Sequence, residues 1–283
     1  MIRYKSVQEA WVGMATNVLN CGDEVNGTLE LNNVSFTIEN PIDNIVRCRD
    51  NFSLPYYLGE TIWYGAGSDE TSFISKFGKI WNKLSDDGKT NNSAYGYILK
   101  SKHGFNQIYK MAELLNFDPN SRRAVMNINV PNKNVIDTKD EMCTIALQFL
   151  LRDGKLNMTG IMRSNDLWTG TPYDLFYFTA VQRQVAKMLD VEIGTYTHFV
   201  TSLHIYDRDI DKIKKSLDNY CEGKNVDIEI NALKLLEKAP NIYWDLYNYG
   251  SEDLKKEVVA HCYDWGIISG KEIDNVLYGG NKK

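Results

Sequence analysis

The sequence predicts a mixed α/β chain of the α+β kind, and three patterns predict it. The stretch GTLELNNVSFTIENP, from Gly27, alternates like a strand. Two apolar runs meet at Arg152-Asp153-Gly154-Lys155, and Asp-Gly between such runs is a strong hairpin signal. After Asp211 the residues turn charged and helical in spacing.

Taken in order, the strand from Gly27 is followed by a helical middle. Its pieces are SLPYYLGETIWYGAG from Ser53 and TSFISKFGKIWNKLS from Thr71. DPNSRRAVMNINVPN, from Asp118, reads as a turn into a short strand. The hairpin comes next, then a helix in GTPYDLFYFTAVQRQVAKML from Gly170 and a strand in GTYTHFVTSLHIYDRD from Gly194. The last helices lie in DKIKKSLDNY, EINALKLLEKAP and SEDLKKEVVAHCYDWGII. Ser251 is a candidate N-cap there, and Gly266 and Gly270 are candidate stops. The change of character places a soft boundary near residue 210, with residues 1–210 as a catalytic domain and 211–283 as its helical C-terminal extension.

The 283 residues carry 32 basic and 37 acidic side chains. A mildly acidic chain is a poor match for a phosphate polymer, although a local arginine cluster can hold one phosphate. No run approaches the roughly 20 apolar residues of a membrane span, and the N-terminus lacks a long apolar core. These features predict a cytoplasmic protein that binds neither nucleic acid nor membrane. The five cysteines are scattered, with no C-x-x-C pair, so neither a disulfide framework nor a zinc ribbon is expected.

The hairpin carries the most geometry. With Asp153-Gly154 as the turn, Arg152 faces Lys155 and regular pairing sets Cys143 opposite Ser164. Arg163 then points to the other face, unless a bulge re-aims it. A cation near a thiol makes it a better nucleophile. A buried structural cysteine is the other reading.

In the helix after it, Thr171 suits the N-cap and Pro172 the first helical position. Asp174 follows three residues after the cap, where an acid favours the helix dipole. In the next strand, alternation gives His198, Ser202, His204 and Tyr206 one face. The spacing of the two histidines is weak evidence for a metal, and none is expected. Arg122 and Arg123 point to opposite faces; a phosphate contact and a solvated pair are both open.

From Asn26 to Asp209 the chain resembles the thymidylate synthase family. The motifs are YLGETIWYGAGSD, IWNKLSDDG, AYG at Tyr95-Gly96, DPNSRR, MCT, MRSND with GTPYD, and SLHIY. The resemblance implies a large mixed sheet flanked by helices, packed back to back in a homodimer with shared active sites. It implies Cys143 as nucleophile and Glu60 as general acid-base, with Trp81 lining the site of methylenetetrahydrofolate, the co-substrate. Glu60, Asp166 and Gly170 join Trp81 on the folate side. Arg122, Arg123, Arg163, Ser164, Asn165, Asp166, Asp174, His204 and Tyr206 fall at nucleotide-binding positions. The two adjacent arginines would reach the partner's phosphate.

Three departures refine the expectation. Thr144 stands where synthases keep histidine, Met162 where they keep glutamine, and Asp174 where they keep asparagine. All three resemble the deoxycytidylate hydroxymethylase branch. An arginine expected near DEVNGT is missing. Uracil shows a donor at N3 and an acceptor at O4, which an amide matches. Cytosine shows an acceptor at N3 and a donor at N4, which a protonated carboxyl matches. The expected activity is 5-hydroxymethylation of dCMP in a bacterial or phage-infected cytoplasm. The alternatives are a dUMP or CMP hydroxymethylase, a methylating synthase, and a silent nucleotide-binding relative.

Overall fold

The computed structural model describes residues 2–129, 132, 134–249, 253–273 and 277. In chain order the elements are β1 (Ile2–Tyr4), α1 (Val7–Cys21), β2 (Asp23–Val25), β3 (Thr28–Ile38), α2 (Leu54–Ala66), α3 (Thr71–Ile74), α4 (Ile80–Leu84), α5 (Tyr95–Lys100) and α6 (Gln107–Phe117). They continue with β4 (Val125–Asn127), β5 (Thr144–Arg152), β6 (Lys155–Asp166), α7 (Thr171–Leu189), β7 (Glu192–Tyr206), α8 (Ile210–Cys221), β8 (Glu229–Ile230), α9 (Ala232–Tyr249), α10 (Leu254–Asp264) and β9 (Ile268–Ser269). Two compact units emerge. The first holds Met1–Phe52, Gln107–Asn129 and Cys143–Asn225; the second holds Ser53–Asn106, Val130–Met142 and Val226–Lys283. The soft boundary near residue 210 coincides with the start of α8, which packs within the first unit.

The first unit is built on one mixed sheet, in the order β1-β3-β7-β6-β5-β4, with β2 on β3. β1 runs parallel to β3 and β6 parallel to β7; the other pairs are antiparallel. This is the large mixed sheet that the resemblance implied. The hairpin forms where expected: Arg152 pairs with Lys155. Asp153 and Gly154 both take left-handed φ, 52° and 73°, as a two-residue turn matched to strand twist demands. The segment around DEVNGT is a tight hairpin too, turning at Asn26 and Gly27 with φ of 49° and 79°. Helices α1 and α7 bury an apolar stripe that includes Trp11, Met14, Phe176 and Phe178.

In the second unit α2 is buried on nearly every face, from Tyr57 to Gly65. α9 lies close to it: a Cβ at Gly65 would stand 2.4 Å from the Ala239 methyl. TSFISKFGKIWNKLS is not one helix but two short ones, α3 and α4, separated around Gly78. A Cβ at Gly78 would stand 2.8 Å from the Tyr56 ring, so glycine is kept there at the expense of helix propensity. α10 starts on Asp253, whose side chain accepts from the Lys256 amide. Ser251 lies outside the described residues. Gly266 does stop α10, with φ of 59°. Gly270 instead follows the short strand β9.

Candidate active site

Cys143 stands just ahead of β5. Its carbonyl accepts from the Arg163 amide at 2.9 Å, and Arg163 Nη2 lies 3.6 Å from its Sγ. The regular register would have set Cys143 opposite Ser164. A bulge overturns that: Ala146 pairs with Ile161, but Thr144 pairs with Met162. One extra residue on β5 moves the thiol beside the guanidinium. A guanidinium at that distance favours sulfur in its anionic form. The other cysteines contrast with it. Cys48 and Cys262 are buried, and desolvation pushes both thiols up to about 12; Cys21 and Cys221 are exposed.

Ser164 and Asp166 continue along β6 and pair across to Ser202 and His204 on β7. Asp166 accepts from the Trp168 amide at 2.8 Å and from the Thr169 hydroxyl. It therefore shapes the turn between β6 and α7. Arg49 braces the same turn from within. It donates to the Trp168 carbonyl at 2.7 Å and to the Tyr173 hydroxyl, with its guanidinium 4.1 Å from the Trp168 ring centre. These aromatic neighbours explain why the polar cluster is flanked by residues that seek burial.

Thr171 is the first residue of α7 and Gly170 is its N-cap, one position from the expected cap. A cap would accept from a first-turn amide, whereas the Thr171 hydroxyl donates to Asn165 Oδ1 at 2.7 Å. Asn165 is buried, and its amide donates to Asp174 Oδ2 at 2.7 Å. Asp174 sits in the first turn of α7 with part of its side chain reaching the surface. Burial of its carboxyl pushes it up to about 7, against the Asn165 hydrogen bond, which lowers it, with Asp166 adding a smaller upward push. A carboxyl in that range is available as an acid or as a base near neutrality.

His204 and Tyr206 meet edge to face, with ring centres 5.2 Å apart. His204 Nδ1 is buried with no hydrogen-bond partner among the described residues. Ser202 donates to Glu30 Oε2 at 2.6 Å, and Glu30 pairs with His204 across β3 and β7. His198 takes a different role from His204. It is buried against Tyr196, whose hydroxyl lies 2.9 Å from its Nδ1, and burial pushes it down to about 3. Among the described residues no group of three or more potential ligands could hold a metal ion. No helix among them is long and apolar enough to cross a membrane.

Arg122 and Arg123 are exposed. Arg123 Nη2 lies 3.8 Å from Asp118 Oδ2, a surface pair worth little by itself. In the second unit Glu60 and Trp81 are linked through a residue that motif reading missed. Trp81 donates to the Tyr56 hydroxyl at 3.0 Å, and that hydroxyl donates to Glu60 Oε1 at 2.9 Å. Trp63 packs edge-on against Trp81, with ring centres 5.1 Å apart. Tyr56 and Glu60 are four apart on α2, so helical spacing alone makes them neighbours. Glu30 gave no such signal, and the partners of Asn165, a residue the resemblance did single out, depend on tertiary placement.

Comparison with known proteins accords with this geometry. The family model described as thymidylate synthase matches residues 35–261. A deoxyuridylate hydroxymethyltransferase of Bacillus phage SP01 is 32% identical over 191 residues, covering 62% of this chain and 50% of that protein. Thymidylate synthase 1 of Bacillus spizizenii is 29% identical over 173 residues, covering 57% and 60%. The chain thus spans half to three-fifths of the length of these curated relatives. A solved thermostable thymidylate synthase A from Bacillus subtilis superposes with a TM-score of 0.61 at 21% identity, covering 75% of this chain and 84% of that one. The family model spans well over half of the sequence, and the chain belongs to the thymidylate synthase family.

Proposed function

We propose that this chain transfers a one-carbon unit to C5 of dCMP, giving the 5-hydroxymethyl nucleotide. The observation that carries the base assignment is Asp174, an acid held near neutrality by burial where an amide would suit uracil. In its neutral form the carboxyl donates one hydrogen bond and accepts another, the complement of cytosine N3 and N4. A site whose buried polar groups are left unpaired by the wrong base can discriminate by ~10⁴–10⁵ in favourable cases.

Cys143 is the nucleophile in this reading, and its 3.6 Å contact with Arg163 supports the thiolate. Sulfur adds to C6, and the C5–C6 electron pair becomes available at C5. A proton donated to N3 by Asp174 makes that addition easier. C5 then bonds to the one-carbon unit and loses its proton to a base. Methylenetetrahydrofolate supplies that unit at the methylene level of oxidation. The bond from that carbon to the folate nitrogen breaks and tetrahydrofolate leaves, water adds to the resulting exocyclic methylene, and loss of the C6–S bond frees the enzyme. No oxidant or reductant is consumed. Glu60, fixed through Tyr56, handles the proton and the water. Trp81 beside it, backed edge-on by the fully buried Trp63, is the flat apolar side chain that a heteroaromatic co-substrate would meet. On the nucleotide side, Arg163, Ser164 and the partner's Arg122 and Arg123 serve the phosphate. His204 and Tyr206 serve the sugar, where the unpartnered Nδ1 can meet a hydroxyl.

A second reading has one observation in its favour: the phage SP01 relative is named for deoxyuridylate. Mass spectrometry of products from dCMP, CMP and dUMP with methylenetetrahydrofolate separates the two. A hydroxymethyl mass gain on dCMP ahead of both others is expected. Faster conversion of dUMP, or a methyl product, overturns the assignment.

A further inference from the structure

A neutral carboxylic acid is by itself a poor discriminator of cytosine from uracil. Either oxygen can carry the proton, so one face can present donor–acceptor or acceptor–donor. The hydrogen bonds around Asp174 remove that freedom. Thr171 donates to Asn165 Oδ1 at 2.7 Å, which leaves the amide of Asn165 facing Asp174. That amide donates to Asp174 Oδ2 at 2.7 Å. An oxygen already accepting a hydrogen bond from a buried amide is the wrong one to carry the proton, because N–H and O–H would then oppose each other. The proton is directed to Oδ1.

The packing is built around this contact. Gly170 has φ of −106°, a value open to any residue, so backbone freedom does not explain it. A Cβ there would stand 3.1 Å from Asn165 Nδ2 and 3.2 Å from Asp174 Oδ2. The missing side chain keeps the amide and the carboxyl at hydrogen-bonding distance. The Asp166 carbonyl lies 3.0 Å from the same hydroxyl oxygen and can share its one proton at the end of β6.

We infer that Asn165, oriented by Thr171 and given room by Gly170, is a positioning residue that fixes which oxygen of Asp174 carries the proton, and so makes the acid selective for cytosine. This rests on the reading of Asp174 as the base-recognising group. Oδ1 then donates to N3, while Oδ2 keeps a second lone pair for the N4 amine. Among the described residues, Asp166 at the end of β6 and Tyr196 on β7 interact electrostatically with Asp174, and Tyr196 is pushed further up by Asp174 itself. Neither gives the carboxyl a competing hydrogen-bond donor in the structure.

The experiment measures kcat/KM for dCMP and dUMP across pH 5–9 in this chain and four variants. These are Asp174→Asn, Asn165→Ala, Thr171→Val and Thr171→Ser, each checked for folding by thermal melting. Wild type should prefer dCMP and Asp174→Asn should reverse the order, which establishes base reading independently. Asn165→Ala should then reduce the dCMP:dUMP ratio by roughly ten- to a hundredfold, because the proton is no longer confined to Oδ1. It should also move the alkaline limb of the dCMP profile to higher pH, since the lost donor favoured the carboxylate. Thr171→Val frees the amide to flip and should lower the ratio, whereas Thr171→Ser keeps the hydroxyl and should retain it. A general structural defect lowers both substrates equally and leaves the limb in place. That outcome in Asn165→Ala, with Asp174→Asn reversing as expected, overturns the positioning role alone. If Asp174→Asn leaves the ratio unchanged, base reading fails and the positioning role fails with it. Should Asn165→Ala not fold, equal ratios in Thr171→Val and wild type overturn the proposal.

Discussion

At the scale of single residues, two groups would divide the proposed chemistry. Cys143 touches a guanidinium and is half-exposed, whereas Cys48 and Cys262 are sealed in the core. Cys143→Ser should still bind nucleotide but lose turnover and lose tritium release from C5-labelled substrate. A serine hydroxyl without a strong base is a poor nucleophile, so exchange above about a hundredth of wild type would remove Cys143 from this role. Asp174 gives the pH prediction. Its folded value is about 7, against ~3.9 for an unperturbed Asp. The native state therefore holds a proton that the unfolded chain releases first. Stability attached to this group is fully present below about pH 4 and is lost as pH rises toward 7. Asp174→Asn should flatten that slope, read from urea midpoints at pH 4, 5.5 and 7. An unchanged slope would mean that the carboxyl is ionised in the folded protein at all three.

At the scale of elements, the hairpin of β5 and β6 shows what sequence can and cannot specify. Its turn is legible because Asp153-Gly154 are the residue types that tolerate left-handed φ, and the first pairs follow from it. β3 is legible from alternation. The bulge between Thr144 and Ala146 is not. No glycine marks it, and its cause is tertiary. Yet it decides that Cys143 meets Arg163. The start of α7 was misplaced by one residue for a similar reason: Thr171 looks like a cap, but its hydroxyl is engaged by Asn165. Motif resemblance names candidate site residues one at a time. It could not supply the contacts among Asn165, Thr171, Asp174 and Gly170, because those arise only when β6 meets α7. The turn carries its own prediction. Gly154→Ala places a Cβ at φ of 73° and should cost ~1–2 kcal/mol. Thermal unfolding should show Tm lowered by roughly 2–8 °C, with kcat unchanged because the site lies at the other end of the hairpin. A fall in kcat together with an unchanged Tm would show that the turn governs the site and not the strand pairing.

At the scale of the whole molecule, the arginines decide whether one chain suffices. Arg122 and Arg123 are solvent-exposed, and the nearest acid to Arg123 is 3.8 Å away on its own surface. Arginines left open in this way contribute little to the stability of their own unit. They are free to grip a phosphate bidentately when one is presented. The chain also lacks an arginine in its first hairpin, which turns tightly at Asn26 and Gly27. In the proposed reaction, phosphate binding would then depend more heavily on Arg163, Ser164 and whatever a second copy supplies. If Arg122 and Arg123 serve the site of the neighbouring copy, defects in different residues must complement. Cys143→Ser alone has intact arginines but no nucleophile. Arg123→Ala alone has the nucleophile but a weakened phosphate grip. Mixed and allowed to exchange, they form hybrids in which one of two sites holds both an intact Cys143 and an intact Arg123. With random exchange half of the molecules are hybrids, so about a quarter of wild-type activity should return, as a closed twofold assembly implies. The control is Cys143→Ser mixed with the double variant carrying both changes, which contains no complete site and should stay inactive. Subunit exchange is confirmed by mass-tagging one partner. Exchange without recovery would place both functions in one chain, and a monomer at micromolar concentration in ultracentrifugation would exclude sharing altogether.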